Sequence, residues 1–188
     1  MENNQFYETC DLILQECQEA LRRIDPNSVY ALIDLLLKAD KVFYIGVGRV
    51  LFALQAMGKR LNHLGIKTYQ VGEVNEPAIT AKDVLIVGSG SGESLIPVAI
   101  AKKAKSFHAT IVHIGSNPES SLKSITDLMI RIPVQTKLNL SDELPSKQLM
   151  TSIFDQALLL FSDALSAIIV ERKGLDIKTL WAFHANLE

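Results

Sequence analysis

Between Val84 and Ser94 the chain reads VLIVGSGSGES, three glycines interleaved with serines directly after an apolar run. Glycines without a Cβ admit a close approach to backbone, and serines add short hydroxyls to the exposed N–H groups. Glu93 and Ser94 then open an apolar stretch from Leu95 to Ala104 that reads as a helix, with Pro97 tolerated only in its first turn. A glycine nest at a helix N-terminus is a site for an anion, and phosphate is the natural guest. Ser89, Gly90, Ser91, Gly92 and Ser94 are therefore the candidate phosphate cradle. A second glycine turn, Gly46-Val47-Gly48-Arg49, follows an apolar run at Val42 to Ile45. An arginine at a helix start opposes the helix dipole unless it faces an anion, so Gly48 and Arg49 join the candidate set.

These turns need elements to hold them. Asn4 to Ile24 carries Phe6, Cys10, Ile13, Leu14, Cys17 and Leu21 at helical spacing, a helix to cover one edge of the domain or pack on another subunit. Ser28 is the expected N-cap of a second helix over Val29 to Lys38. A strand at Val42 to Ile45 leads to a helix from about Val50 to Leu64, and Gly65 precedes a second strand near Lys67 to Val71. The third strand begins at Val84, a fourth spans Thr110 to Ile114, and a fifth spans Leu128 to Ile132. Lys102, Lys103 and Lys105 complement a helix C-terminus. Val134 to Ser146 is polar and reads as a surface loop. Lys147 to Lys173 reads as one long helix, followed by a short segment to Glu188.

Strands alternating with helices predict an α/β fold, a doubly wound αβα sandwich on a five-stranded parallel sheet in the order 2-1-3-4-5. The switch of direction then falls between strands one and three, so both glycine turns open onto one crevice at the strands' carboxyl ends. With no internal repeat or linker, residues 1-188 form one domain.

Composition narrows the function classes. The 188 residues are 48% hydrophobic and 21% charged, with a formal net charge of -2, and no basic excess points to nucleic acid. No apolar stretch is read as long enough to span a membrane, and the opening residues lack the pattern of a signal peptide, so a cytoplasmic location is expected. Cys10 and Cys17, seven apart on a helix, are separated by about 10 Å and beyond disulfide reach. No His and carboxylate spacing resembles a metal site, and no cofactor is expected. A dinucleotide site is disfavoured: Gly46, Gly48 and Glu73 form half of the fingerprint, but Leu51 stands at the third glycine position.

The GSGSGES turn after a strand resembles the phosphosugar signature of sugar isomerase (SIS) domains. The resemblance extends to the 6-phospho-3-hexuloisomerases through GVGR at 46 to 49, RLNHLGIKTYQVGE at 60 to 73, NPES at 117 to 120, FDQALLLFSD at 154 to 163 and the terminal HANLE. It implies an SIS fold, commonly a homotetramer, that interconverts D-arabino-3-hexulose 6-phosphate and fructose 6-phosphate without a metal. It also implies that Ser89, Ser91 and Ser94 hold the phosphate. The base expected on the last helix is a glutamate, and Asp155 stands in its place. His63 is the implied histidine partner, reaching a neighbouring subunit's site, and His184 is a second candidate. Val50 replaces an expected hydroxyl residue, and Trp181, Ala182 and Phe183 replace basic residues before His184. These departures leave open an isomerase for a related sugar phosphate or a phosphosugar-binding regulatory module. His108 and His113 read as structural.

Overall fold

The computed structural model describes residues 2 to 184. Helices α1 (Glu2–Arg22) and α2 (Pro26–Lys38) precede β1 (Val42–Ile45), α3 (Arg49–His63), β2 (Thr68–Gln70), β3 (Val84–Gly88), α4 (Leu95–Ser106), β4 (Thr110–Gly115), β5 (Leu128–Arg131) and α5 (Ser152–Lys173). A 3-10 segment, Ile177–Phe183, follows. The strands form one parallel sheet in the order β2-β1-β3-β4-β5, the expected doubly wound arrangement. Central β3 is buried along its whole length, as its unbroken apolar run requires.

Side chains alternate across the sheet and build two cores. Val42, Tyr44, Val84, Ile86, Val112 and Ile114 face Leu32, Leu36, Leu54, Met57, Phe154 and Leu158 of α2, α3 and α5. Phe43, Ile45, Leu85, Val87 and Ile111 meet Ala101 and Ala104 of α4 on the other face. The two layers of helices thus enclose the sheet. Strands and helices do not alternate throughout, however: loops alone make the β2–β3 and β4–β5 crossovers.

Several local expectations are corrected. Asp25, not Ser28, caps α2, its carboxylate accepting from Asn27 N at 3.0 Å. The segment Val134 to Ser146 is no exposed loop, because Val134, Thr136, Glu143 and Leu144 are buried. Glu143 accepts there from Ser116 Oγ (2.9 Å), Thr136 Oγ1 (2.9 Å), Thr136 N (3.1 Å) and Leu140 N (3.0 Å), which satisfies its buried carboxylate without a cation.

The last helix starts at Ser152 instead of Lys147, since Met150 adopts φ 53° and the preceding groups are held by α1. Glu16 accepts from Ser146 Oγ (2.6 Å), Lys147 N (2.8 Å) and Gln148 Nε2 (3.0 Å). At 22 residues α5 is long and apolar enough to cross a membrane, contrary to expectation, but more than half of its apolar stretch is buried as a core helix. Helix α1 packs through Cys17 and Ala20, followed by the buried Ile24 beyond its end, while Phe6, Tyr7 and Leu14 are exposed.

Candidate functional site

The loop after β3 is held from outside at three successive carbonyls. His113 Nε2 lies 2.9 Å from Ser89 O, Ser116 N and Asn117 N donate to Gly90 O at 2.8 and 3.2 Å, and Asn117 Nδ2 donates to Ser91 O at 3.2 Å. With the carbonyls held in this way, the amides of Gly90, Ser91 and Ser94 donate to no acceptor among the described residues. Gly92 has φ 68°, the left-handed region that glycine occupies at little cost. An anion at this helix start would meet unspent donors.

Among the serines the geometry draws a distinction. Ser89 Oγ donates to Ser94 Oγ and accepts from Gly92 N, both at 3.1 Å, so its only proton is used inside the loop. Ser91 Oγ accepts from Glu93 N at 3.3 Å and keeps its proton, as does Ser94 Oγ. Ser89 and Ser91 are buried and Ser94 is half-buried.

Helices α3 and α5 close on this loop. A Cβ at Gly88 would fall 2.7 Å from Leu54 Cδ1 and 2.8 Å from Val50 Cγ1, so the absence of a side chain there lets the first turns of α3 pack onto β3. Gly90 lies against Phe154, one residue before Asp155. Gly48 caps α3 with φ 59°, which places Arg49 at its first position. Arg49 Nε lies 3.2 Å from Asp155 Oδ2.

Asp155 is 8% exposed, whereas the Arg49 side chain is 63% exposed and retains donors for a ligand. Burial raises the Asp155 pKa above its ordinary value, and Arg49 pulls it back. A buried carboxylate of raised pKa is a better proton acceptor than a solvated one. The pair opens onto a cavity of about 440 Å³ between α3 and α5, bordered by Phe52, Ala56, Gln156 and Leu159. The serines do not line that cavity.

His63 and His184 are brought together, but elsewhere. Arg49 and His63 are the two ends of α3, so they stand about 21 Å apart at 1.5 Å per residue. There the His63 and His184 rings lie 5.3 Å apart, and Trp181 lies 5.3 Å from His184. A second cavity of about 370 Å³, mostly apolar, is bordered by these residues with Leu64, Val170 and Leu180. One chain therefore does not bring either histidine to Asp155. The rest of the terminal HANLE stretch, residues 185–188, lies outside the described residues.

Ser116 and Asn117 hold the loop, Glu143 with Thr136 holds Ser116 in turn, and none of the four was singled out by residue type. Asn117 alone had a signal, its place in the NPES stretch. Among the described residues, no three His, Cys, Asp or Glu side chains cluster as a metal centre would need.

Comparisons with known proteins agree with this fold. A family model described as SIS domain matches residues 35–160. The 3-hexulose-6-phosphate isomerase of Bacillus subtilis is 38% identical over 176 residues, covering 94% of this chain and 95% of that protein. That of Mycobacterium gastri is 32% identical over 177 residues, covering 94% and 88%. A solved structure from Methanococcus jannaschii, for which a 3-hexulose-6-phosphate isomerase function is inferred, superposes with a TM-score of 0.82 at 33% identity over 96% of this chain and 99% of that one.

Proposed function

The chain belongs to the SIS domain family, and from that membership we propose that it interconverts D-arabino-3-hexulose 6-phosphate and fructose 6-phosphate through an enediol. The observation that carries this reading is the buried Asp155 beside Arg49, one residue after the Phe154 that packs on Gly90, in a loop where the amides of Gly90, Ser91 and Ser94 and two hydroxyls are unspent. The similarity to 3-hexulose-6-phosphate isomerases supports the choice of sugar.

In this reading the loop and Arg49 bind the phosphate, with Ser91 and Ser94 giving hydroxyl protons and Gly90 giving an amide. Asp155 takes the proton from C3 of fructose 6-phosphate. The electron pair of that C–H bond becomes the C2=C3 bond of the enediol, and the C2 carbonyl oxygen gains a proton. The oxygen on C3 then loses its proton as the new carbonyl forms, and a proton returns to C2. Moving protons between the two oxygens is the work of a histidine. Since His63 lies about 21 Å from Arg49 along α3, it serves the site of a neighbouring copy.

That arrangement requires an oligomer, a tetramer by the family's habit. The exposed Phe6, Tyr7 and Leu14 of α1 and the partly exposed Leu159 and Leu160 of α5 supply apolar surface for it. The shorter reach of Asp155 relative to glutamate favours a second reading, a module that binds the phosphosugar without turning it over. Incubating the protein with fructose 6-phosphate and detecting the 3-hexulose separates the two: product supports the isomerase, and ligand bound without product supports the module.

A further inference from the structure

The imidazole of His113 occupies a slot built for it. A Cβ at Gly115 would lie 2.3 Å from His113 Nε2, and one at Gly92 would lie 3.1 Å from His113 Cε1. Glycine at 115 leaves room for the ring, while at Gly92 a Cβ would clash first with Ser120, at 2.3 Å. His113 is 1% exposed and pairs with Val87 in the sheet, on the face otherwise filled by Leu85, Val87 and Ile111. Placing a polar ring on an apolar face is costly unless its hydrogen bond is made. Its Nε2 lies 2.9 Å from Ser89 O, and because a carbonyl only accepts, that nitrogen carries the proton.

We propose that His113 is a positioning residue for the phosphate-binding loop, its Nε2–H fixing the Ser89 carbonyl so that the amides of Gly90, Ser91 and Ser94 and the hydroxyls of Ser91 and Ser94 stand open to the phosphate of the sugar. The inference rests on the phosphosugar reading of the loop. Ser89 O also accepts from Gly92 N at 3.1 Å, so the imidazole anchors the tight turn itself. Burial lowers the His113 pKa below its ordinary value, with the Ser89 bond opposing, so the ring acts by geometry and not by charge.

The test is calorimetric titration of fructose 6-phosphate into wild type, His113→Leu and His113→Gln, with steady-state kinetics alongside. His113→Leu keeps the bulk and loses the donor; its affinity should fall about tenfold, the worth of one hydrogen bond, and KM should rise by more than kcat falls. His113→Gln restores a donor near the same place and should recover affinity to within about threefold of wild type. A purely structural histidine predicts no such split and no such rescue. Equal affinity in His113→Leu overturns the proposal and leaves the phosphosugar reading standing, whereas a wild type that binds no fructose 6-phosphate overturns both. Should His113→Leu fail to fold, nitrogen-15 spectra of wild-type histidines decide. An Nε2-protonated neutral ring whose signal moves on saturation with fructose 6-phosphate supports the role; an unprotonated Nε2 or an unmoved signal overturns it.

Discussion

Arg49 Nε lies 3.2 Å from Asp155 Oδ2, joining the first turns of α3 and α5 beside the glycine-serine loop. An arginine at a helix start needs a negative partner, and here a buried carboxylate supplies part of that charge. The guanidinium is left with donors for a phosphate, and the carboxylate for a proton. Asp155→Asn keeps the shape but cannot accept a proton, so kcat should fall on the order of 10²- to 10⁴-fold. Fructose 6-phosphate affinity, measured by calorimetry, should stay within about threefold, because the donors of the serine loop are untouched. A normal rate in Asp155→Asn would remove Asp155 from the mechanism.

The pH dependence follows from the same pair. Burial raises the Asp155 pKa and Arg49 lowers it by less. The base must be ionised to act, so the rate should climb with pH through a value above the ordinary aspartate range. Arg49→Met removes the opposing charge and should move this acidic limb to still higher pH. Stability has the opposite sense: a folded pKa above the unfolded one means the folded state binds more protons in that window. This residue's contribution therefore falls as pH rises from the unfolded value through the folded one. Asp155→Asn should flatten both the rate limb and that part of the stability profile.

The serines should not be equivalent. Ser91 and Ser94 keep their hydroxyl protons, while Ser89 donates to Ser94. Ser91→Ala and Ser94→Ala should each weaken fructose 6-phosphate binding by about 1 to 2 kcal/mol, the loss of a bond to a charged group. Ser89→Ala leaves Gly92 N with the Ser89 carbonyl as acceptor and should act chiefly on the stability of the loop. Calorimetry on the three variants, with denaturant unfolding of Ser89→Ala, checks the ordering.

If His63 works on a neighbouring copy, two inactive variants should repair each other. Mixing His63→Ala with Asp155→Asn subunits forms sites in which an intact Asp155 meets an intact His63 from another chain. Some activity should return after mixing and exchange. A monomer by light scattering, or no recovery in mixed assemblies, would count against the shared site.

The sheet was legible because β1 and β3 are unbroken apolar runs and β4 is apolar but for Thr110 and His113, a pattern that a strand covered on both faces can bury. The two glycine turns were legible for the same local reason, their backbone being free of Cβ atoms. What escaped was set by tertiary contacts. Glu143 looks like a residue of a polar surface loop, and only the amides of Thr136 and Leu140 with two hydroxyls make its burial tolerable. Lys147 to Thr151 looks helical, but Met150 stands at φ 53°, outside the helical region, and Glu16, more than a hundred residues earlier, holds Ser146, Lys147 and Gln148. His113 reads as structural, and what the sequence did not show is that Gly115 leaves its ring a slot against the Ser89 carbonyl. The distance from His63 to Asp155 is likewise a property of α3 as a rigid rod with the two sites at its ends.

The most direct measurement is proton exchange at one carbon of the proposed substrate. Fructose 6-phosphate incubated with the protein in heavy water should lose the hydrogen on C3 as the enediol forms and reprotonates from solvent, visible as decay of that proton signal by NMR. The account predicts C3 exchange with wild type and none with Asp155→Asn. Fructose 6-phosphate that binds by calorimetry yet keeps its C3 hydrogen with wild type would contradict the isomerase reading.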